Sequence, residues 1–154
     1  VHLAVPSDNG MVYIEKLESP QAVRMTSRVG TRVTLYSSSV GKAYLAALDE
    51  TTRNLLLRSV RMQKFTEHTI TDLDVLRAEL AVAQQRGYTE DREENEAQIF
   101  CVGAPIFGAE GTPVACISIS IPLFRKPAQL QQALIDPLLS TCKLITQKLS
   151  GPGR

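Results

Sequence analysis

Tryptophan is missing from this sequence, and aromatic residues of all kinds fill only 5% of its 154 positions. A surface that stacks successive bases of a single-stranded nucleic acid needs an aromatic platform, so that class is disfavoured. An excess of charge is missing too: 17 Lys and Arg stand against 16 Asp and Glu, a net +1. That balance argues against a polycationic phosphate-binding surface. Together with 44% hydrophobic residues it also argues against a disordered chain. No apolar run approaches the ~20 residues of a membrane helix. Cysteine is scarce and odd in number, at Cys101, Cys116 and Cys142, with no CxxC spacing. These read as reduced thiols of a cytoplasmic protein, not as a disulfide framework or a zinc site. Nothing in the sequence asks for a metal or a cofactor. Residues 1–5 lack the layout of a signal peptide, and the chain opens on Val1 instead of Met, which points to a segment of a longer protein.

What remains is one domain's worth of chain with one domain's worth of core. Leu3-Ala4-Val5 and Met11-Val12-Tyr13-Ile14 flank an Asn-Gly-containing turn and read as a hairpin. Val23-Arg24-Met25 reads as a third short strand. Ser37-Ser38-Ser39 precede an Ala/Leu-rich stretch and mark a helix start. Asp49 caps a second helix, and Thr71 with Asp74 forms a capping-box pattern for a third, which Gly87 ends. Residues 99–107 and 113–121 form the strongest hairpin. A closing helix begins near Lys126-Pro127 and restarts at Asp136-Pro137, where Asp suits the N-cap and Pro the first turn. Strands first and last with helices between give an α+β fold, its sheet mostly antiparallel. Residues 1–150 read as this domain and 151–154 as a frayed tail.

Alternation sorts the last hairpin into two faces. Ala115, Ile117, Ile119 and Ile121 point one way; Cys116, Ser118 and Ser120 point the other. In the preceding strand Phe100, Val102, Ala104 and Ile106 oppose Cys101, Gly103 and Pro105. The small faces either meet solvent or leave room for a ligand. Solvated strand faces usually carry larger polar residues, which these lack. The helix start at Ser39 offers unbonded N–H groups that suit a carboxylate, although simple capping explains serines there equally well. Lys42 resembles a P-loop lysine only superficially, because Gly10 and Gly30 lie at the wrong spacing. Glu90, Asp91, Glu93, Glu94 and Glu96 read as a solvated, self-repelling loop. Cys101 has no activating partner in view, since His2 and His68 lie in other elements, so a structural role suits it better than a nucleophile's.

Gly30-Thr31-Arg32-Val33-Thr34-Leu35-Tyr36-Ser37-Ser38-Ser39-Val40-Gly41-Lys42-Ala43-Tyr44-Leu45-Ala46 resembles the opening signature of the effector-binding domain of IclR-type transcriptional regulators. Gly87-Tyr88 followed by Asp91, Glu93 and Glu94 is similar to the next block. The stretches 101–107 and 115–122 are similar to the last two, and the blocks follow family order across nearly the whole chain. The resemblance implies a GAF-like domain that senses a small metabolite and is not an enzyme. It implies a preceding winged helix-turn-helix, absent from this chain, as the only part that meets DNA, and dimers or tetramers of the whole protein. It assigns ligand contacts to Asp91, Cys101, Ser118 and Ser120, backbone N–H donors to Ser39 and Val40, and apolar walls to Val33 and Leu35. Ser39 stands where the family usually has Ala or Gly. Gln98 and Ile121 stand where Gly is frequent.

The expected effector is a small oxo- or hydroxy-acid or sugar acid, with its carboxylate at residues 39–41. Ser118 and Ser120 would meet its hydroxyl or keto oxygens. Asp91 would accept from ligand hydroxyls or bind protonated, since two carboxylates repel. Residues 88–98 would form a lid. The rival readings are an oligomerisation domain without a ligand and a GAF-like enzyme using Cys101.

Overall fold

The computed structural model describes residues 1–8, 10–21 and 25–151. Its sheet strands are β1 (His2–Ser7), β2 (Gly10–Lys16), β3 (Arg32–Val33), β4 (Thr89–Arg92), β5 (Ile99–Phe107) and β6 (Pro113–Pro122). They run in the order β3-β2-β1-β6-β5-β4, every neighbour antiparallel. The helices are α1 (Ser39–Ala47), α2 (Glu50–Ser59), α3 (Leu73–Arg86) and α4 (Asp136–Leu149). The fold is α+β, as the element order implies.

The two faces of the last hairpin separate as alternation requires. Phe100, Val102, Ala104 and Ile106 of β5, with Ala115 and Ile117 of β6, form one core with Ile135, Leu138 and Cys142 at the closing helix. Cys116 of β6 joins a second core with Ala4, Met11, Tyr13 and the apolar sides of α1, α2 and α3. The small face therefore lies under α1. Its smallness is used in part for packing. A Cβ on Gly103 would stand 2.6 Å from the Ser39 carbonyl oxygen, so only glycine lets α1 rest there. On the helix side, a Cβ on Gly41 would stand 2.2 Å from the Thr34 carbonyl.

Several elements differ from the sequence reading. Val23 and Arg24 lie outside the described residues, Met25 belongs to no strand, and the third strand is Arg32–Val33. The first hairpin's turn is tighter than expected: β1 continues through Ser7 and β2 starts at Gly10, with Asn9 outside the described residues. Asp49 caps α2 as expected, its side chain accepting from the Thr52 N–H. The cap of α3 is Asp72 instead of Thr71; its carboxylate reaches the Asp74 and Val75 N–H groups. Gly87 ends that helix at φ 82. The closing helix begins at Gln131 with a wider π-type turn, and Leu130, Ile135 and Asp136 are all helical, so Pro137 sits in the first turn of α4 without a break. Residues 152–154 of the tail lie outside the described residues.

The largest correction concerns the acidic stretch. Thr89–Arg92 is a paired strand, and Glu90, Asp91 and Glu94 are at most 7% exposed. Like charges repel in an exposed loop, but here Glu90 and Glu94 are each paired with a cation. Arg92 Nε donates to Glu90 at 2.7 Å, and Lys42 holds Glu94. The stretch is part of the sheet and its anchoring, and of the expected lid at 88–98 the part Thr89–Arg92 is a paired strand.

Candidate functional site

A cavity of about 330 Å³ opens where the small sheet face passes beyond the N-terminus of α1. Cys101 and Ser120, a directly paired couple on β5 and β6, form its floor. Asp91, paired with Cys101 from β4, stands beside them. Ser38 and Ser39 bring the helix start to the same space, and Val33 of β3 lies on the far wall. Two larger apolar grooves, about 430 and 500 Å³, lie against α4. They carry less polar chemistry than this smaller cavity.

The helix start is capped on one side and open on the other. Ser38 is the N-cap; its Oγ accepts from the Gly41 N–H at 3.1 Å and donates to the Thr34 carbonyl at 2.6 Å. Lys42 N–H closes the first turn on the Ser38 carbonyl. The N–H groups of Ser39 and Val40 have no acceptor within the helix. The first turn carries no acidic side chain to compete for the positive end of the dipole. The Ser39 carbonyl accepts from the buried Thr89 hydroxyl at 2.7 Å, which fixes the turn to β4.

Asp91 is 3% exposed. Its Oδ1 accepts from the Glu94 N–H at 2.7 Å and the Asn95 N–H at 3.3 Å. Oδ2 has no partner among the described residues. Burial pushes this carboxyl from 3.8 up to about 7; the Glu94 N–H opposes the shift and the Glu94 charge adds to it. Near neutral pH Asp91 can therefore donate or accept. Burial drives the Cys101 thiol far upward, and the hydroxyls of Ser120 and Ser39 only partly offset it. Cys101 is a protonated thiol, the reverse of what a nucleophile needs.

Val33, Ser39, Asp91, Cys101 and Ser120 thus meet around one space. Leu35 and Val40 do not line it; both side chains sit in the core beneath α1. Ser118 does not line it either. It is 1% exposed, pairs with Gly103 and with His2, and its Oγ lacks a partner in the described structure.

The sequence reading missed other walls of the cavity. His2 and Tyr13 stack at 4.5 Å, and His2 Nε2 bonds the Ser27 hydroxyl at 2.6 Å. Burial, with Lys16 adding to it, pushes His2 down to about 4, so it is neutral at pH 7. Its alternation with Ala4 on β1 was the available signal. Arg32, exposed, lines the cavity from β3 with its guanidinium 3.5 Å from the Asp8 carboxylate. Thr34 and Asn95 add polar atoms.

The fold is a sheet-and-helix domain with a polar cavity at a helix start, and the comparisons give its class. Residues 1–147 match the family model described as Bacterial transcriptional regulator IclR C-terminal. The chain belongs to this family. It is similar to the HTH-type transcriptional regulator KdgR of Escherichia coli (strain K12), 34% identical over 149 residues, 97% of this chain and 57% of that protein. The chain thus spans little more than half the length of that relative. Among solved structures it is similar to the Thermotoga maritima IclR, with a TM-score of 0.92 and 39% identity, covering 97% of this chain and 60% of that one. It shares the fold of the inducer binding domain of PobR from Acinetobacter, a double mutant solved with 3-hydroxybenzoic acid. There the TM-score is 0.83 at 22% identity, over 96% of this chain and 87% of that one. These relatives are regulators, and the family is a regulatory domain, not an enzyme. No helix among the described residues is long and apolar enough to cross a membrane.

Proposed function

We propose that this chain is the effector-binding domain of a cytoplasmic transcriptional regulator, and that its ligand is a small oxo- or hydroxy-acid, with sugar acids favoured. The observation that carries this reading is the start of α1. The Ser38–Ser39 turn lines a cavity whose other polar lining is mainly hydroxyl, with one oxygen of Asp91 left over, and the first N–H groups of this helix have no acceptor within it. The ligand carboxylate takes the Ser39 and Val40 N–H groups. Its hydroxyl or keto oxygens take Ser120 and Asp91 Oδ2. Ser118, behind Gly103, contributes only if α1 yields. The ligand's size is limited by the cavity's ~330 Å³, which suits a small acid and not a fatty acyl chain.

In the longer protein the ligand shifts DNA binding by preferring one arrangement of domains over another. DNA contact belongs to a winged helix-turn-helix outside this chain, and assembly is as a dimer or tetramer. The architecture is read as GAF-like.

A thermal-shift panel of small 2-oxo, hydroxy and sugar acids tests this. Some member of the panel should raise the melting temperature. Asp91→Ala should weaken that acid's binding roughly ten- to a hundredfold, the effect of losing about 1.5–3 kcal/mol at a charged contact, and Ser120→Ala roughly two- to tenfold, the ~0.5–1.5 kcal/mol of a neutral hydrogen bond. Undiminished binding in both variants would remove the ligand from this cavity. A panel with no binder, and an oligomer unchanged by all of them, would favour the oligomerisation reading.

A further inference from the structure

Lys42 and the acidic stretch are the two motifs that the cavity itself leaves unexplained. Lys42 is wholly buried. A buried ammonium is costly unless it is paired and hydrogen-bonded. Its Nζ donates to both Glu94 oxygens, at 2.7 and 2.8 Å, and lies 3.5 Å from Glu79 on α3. Every polar group of Glu94 is engaged. Its carboxylate also accepts from the Arg92 N–H at 3.3 Å, its carbonyl from the Thr69 hydroxyl at 2.6 Å, and its own N–H goes to Asp91 Oδ1.

We propose that Glu94, clamped by Lys42, is the positioning residue for Asp91, fixing which carboxyl oxygen faces the cavity. The clamp holds the peptide whose N–H occupies Oδ1, so Oδ2 is the oxygen presented. Lys42 lies one turn into the helix whose start, at Ser38 and Ser39, lines the same space. A single element therefore sets both poles of the site, the anion-binding end directly and the carboxyl end through Glu94. Glu79 shares the ammonium but makes no bond to the Asp91 loop, so it balances charge without positioning.

The groups surrounding Asp91 come from several elements: Tyr13 on β2, Cys101 on β5, Lys42 on α1 with Glu79 behind it on α3, and Glu94 in its own loop. Glu96 and Arg32 line the same cavity. Since Asp91 titrates near pH 7, its contact with the Glu94 N–H can be followed in the ligand-free protein. The proposal rests on Asp91 being a ligand contact, but its test contains no ligand. A failed acid panel would overturn the cavity reading and leave this result standing.

The experiment is a pH titration by NMR, reading the Asp91 carboxyl carbon and the Glu94 amide proton. In the parent both should move with one midpoint. In Lys42→Met the Glu94 amide should cease to follow Asp91, while in Glu79→Gln both should move as in the parent. If Lys42→Met does not fold, Glu94→Ala decides. It keeps the backbone N–H that meets Asp91 Oδ1 but removes the carboxylate that Lys42 holds, so the amide of residue 94 should cease to follow Asp91. The proposal is overturned by a parent Glu94 amide that ignores Asp91, by tracking that survives Lys42→Met or Glu94→Ala, or by a Glu79→Gln effect as large as that of Lys42→Met.

Discussion

Lys42 and Glu94 stand 52 residues apart in sequence and meet as a two-oxygen ion pair, Nζ lying 2.7 and 2.8 Å from the two carboxylate oxygens. The pair joins α1 to the β4–β5 connection inside the protein. Breaking a buried pair strands one charge, which costs about 3–5 kcal/mol. Lys42→Met should lose about that much in urea unfolding. Replacing both partners by apolar residues, Lys42→Met with Glu94→Leu, should recover a large part of it. A single variant as stable as the parent would mean that the pair contributes nothing.

Asp91 and His2 bend the pH dependence of stability in opposite directions. Asp91 is raised from 3.8 to about 7, so between those values the folded state holds more proton, and stability falls as pH rises. His2 is lowered from 6.5 to about 4, so between those values the unfolded state holds more proton, and stability rises with pH. Between pH 4 and 6.5 the two slopes oppose each other. Asp91→Asn should leave a stability that climbs with pH there, and His2→Gln one that declines, each by at most about 1.4 kcal/mol per unit. Urea unfolding at three pH values reads both slopes. Parallel curves for the two variants would contradict the assignment.

Gly103→Ala should separate α1 from the sheet. The added Cβ would lie 2.6 and 2.7 Å from the Ser39 carbonyl oxygen and carbon, which are backbone atoms that cannot swing away. Overpacking of this kind costs about 1–3 kcal/mol. Because Ser39 also belongs to the turn proposed to bind the carboxylate, ligand affinity should fall further than stability alone accounts for. Calorimetry of any acid identified by the panel, at a temperature where the variant is fully folded, checks this.

Gln98→Gly should be neutral or stabilising, by up to about 1 kcal/mol. Gln98 has φ 64, a left-handed conformation that glycine adopts without a side-chain penalty. Its backbone N–H to Glu93 Oε2, at 2.8 Å, survives the change. A clear loss of thermal stability would show that the Gln98 side chain contributes more than its backbone conformation costs.

Much of the fold was legible. The split of 99–107 and 113–121 into bulky and small faces follows from alternation, and both cores obey it. Asp49 and Gly87 gave helix ends because capping is local chemistry. The acidic stretch misled because its neutralising partner, Lys42, lies 52 residues away, and no local pattern reveals a partner at that distance. The site was legible where residues share a strand face, at Cys101 and Ser120. It was illegible where depth decides. Ser118 has the same facing as Ser120 but lies beside Gly103, where α1 closes over it. Arg32 was missed because a two-residue strand carries no periodicity to read.

The cavity's walls differ in what else depends on them. Asp91, Cys101 and Ser39 are tied into the sheet or the buried helix start. The opposite wall, Met25, Thr26, Ser27, Thr31 and Arg32, contributes to neither apolar core, and much of it is exposed. Surface substitutions away from the core typically change stability by under about half a kcal/mol. Descendants of such a domain can therefore reshape the cavity by rewriting that strip, while the wall built on the sheet and the start of α1 is inherited together with the fold.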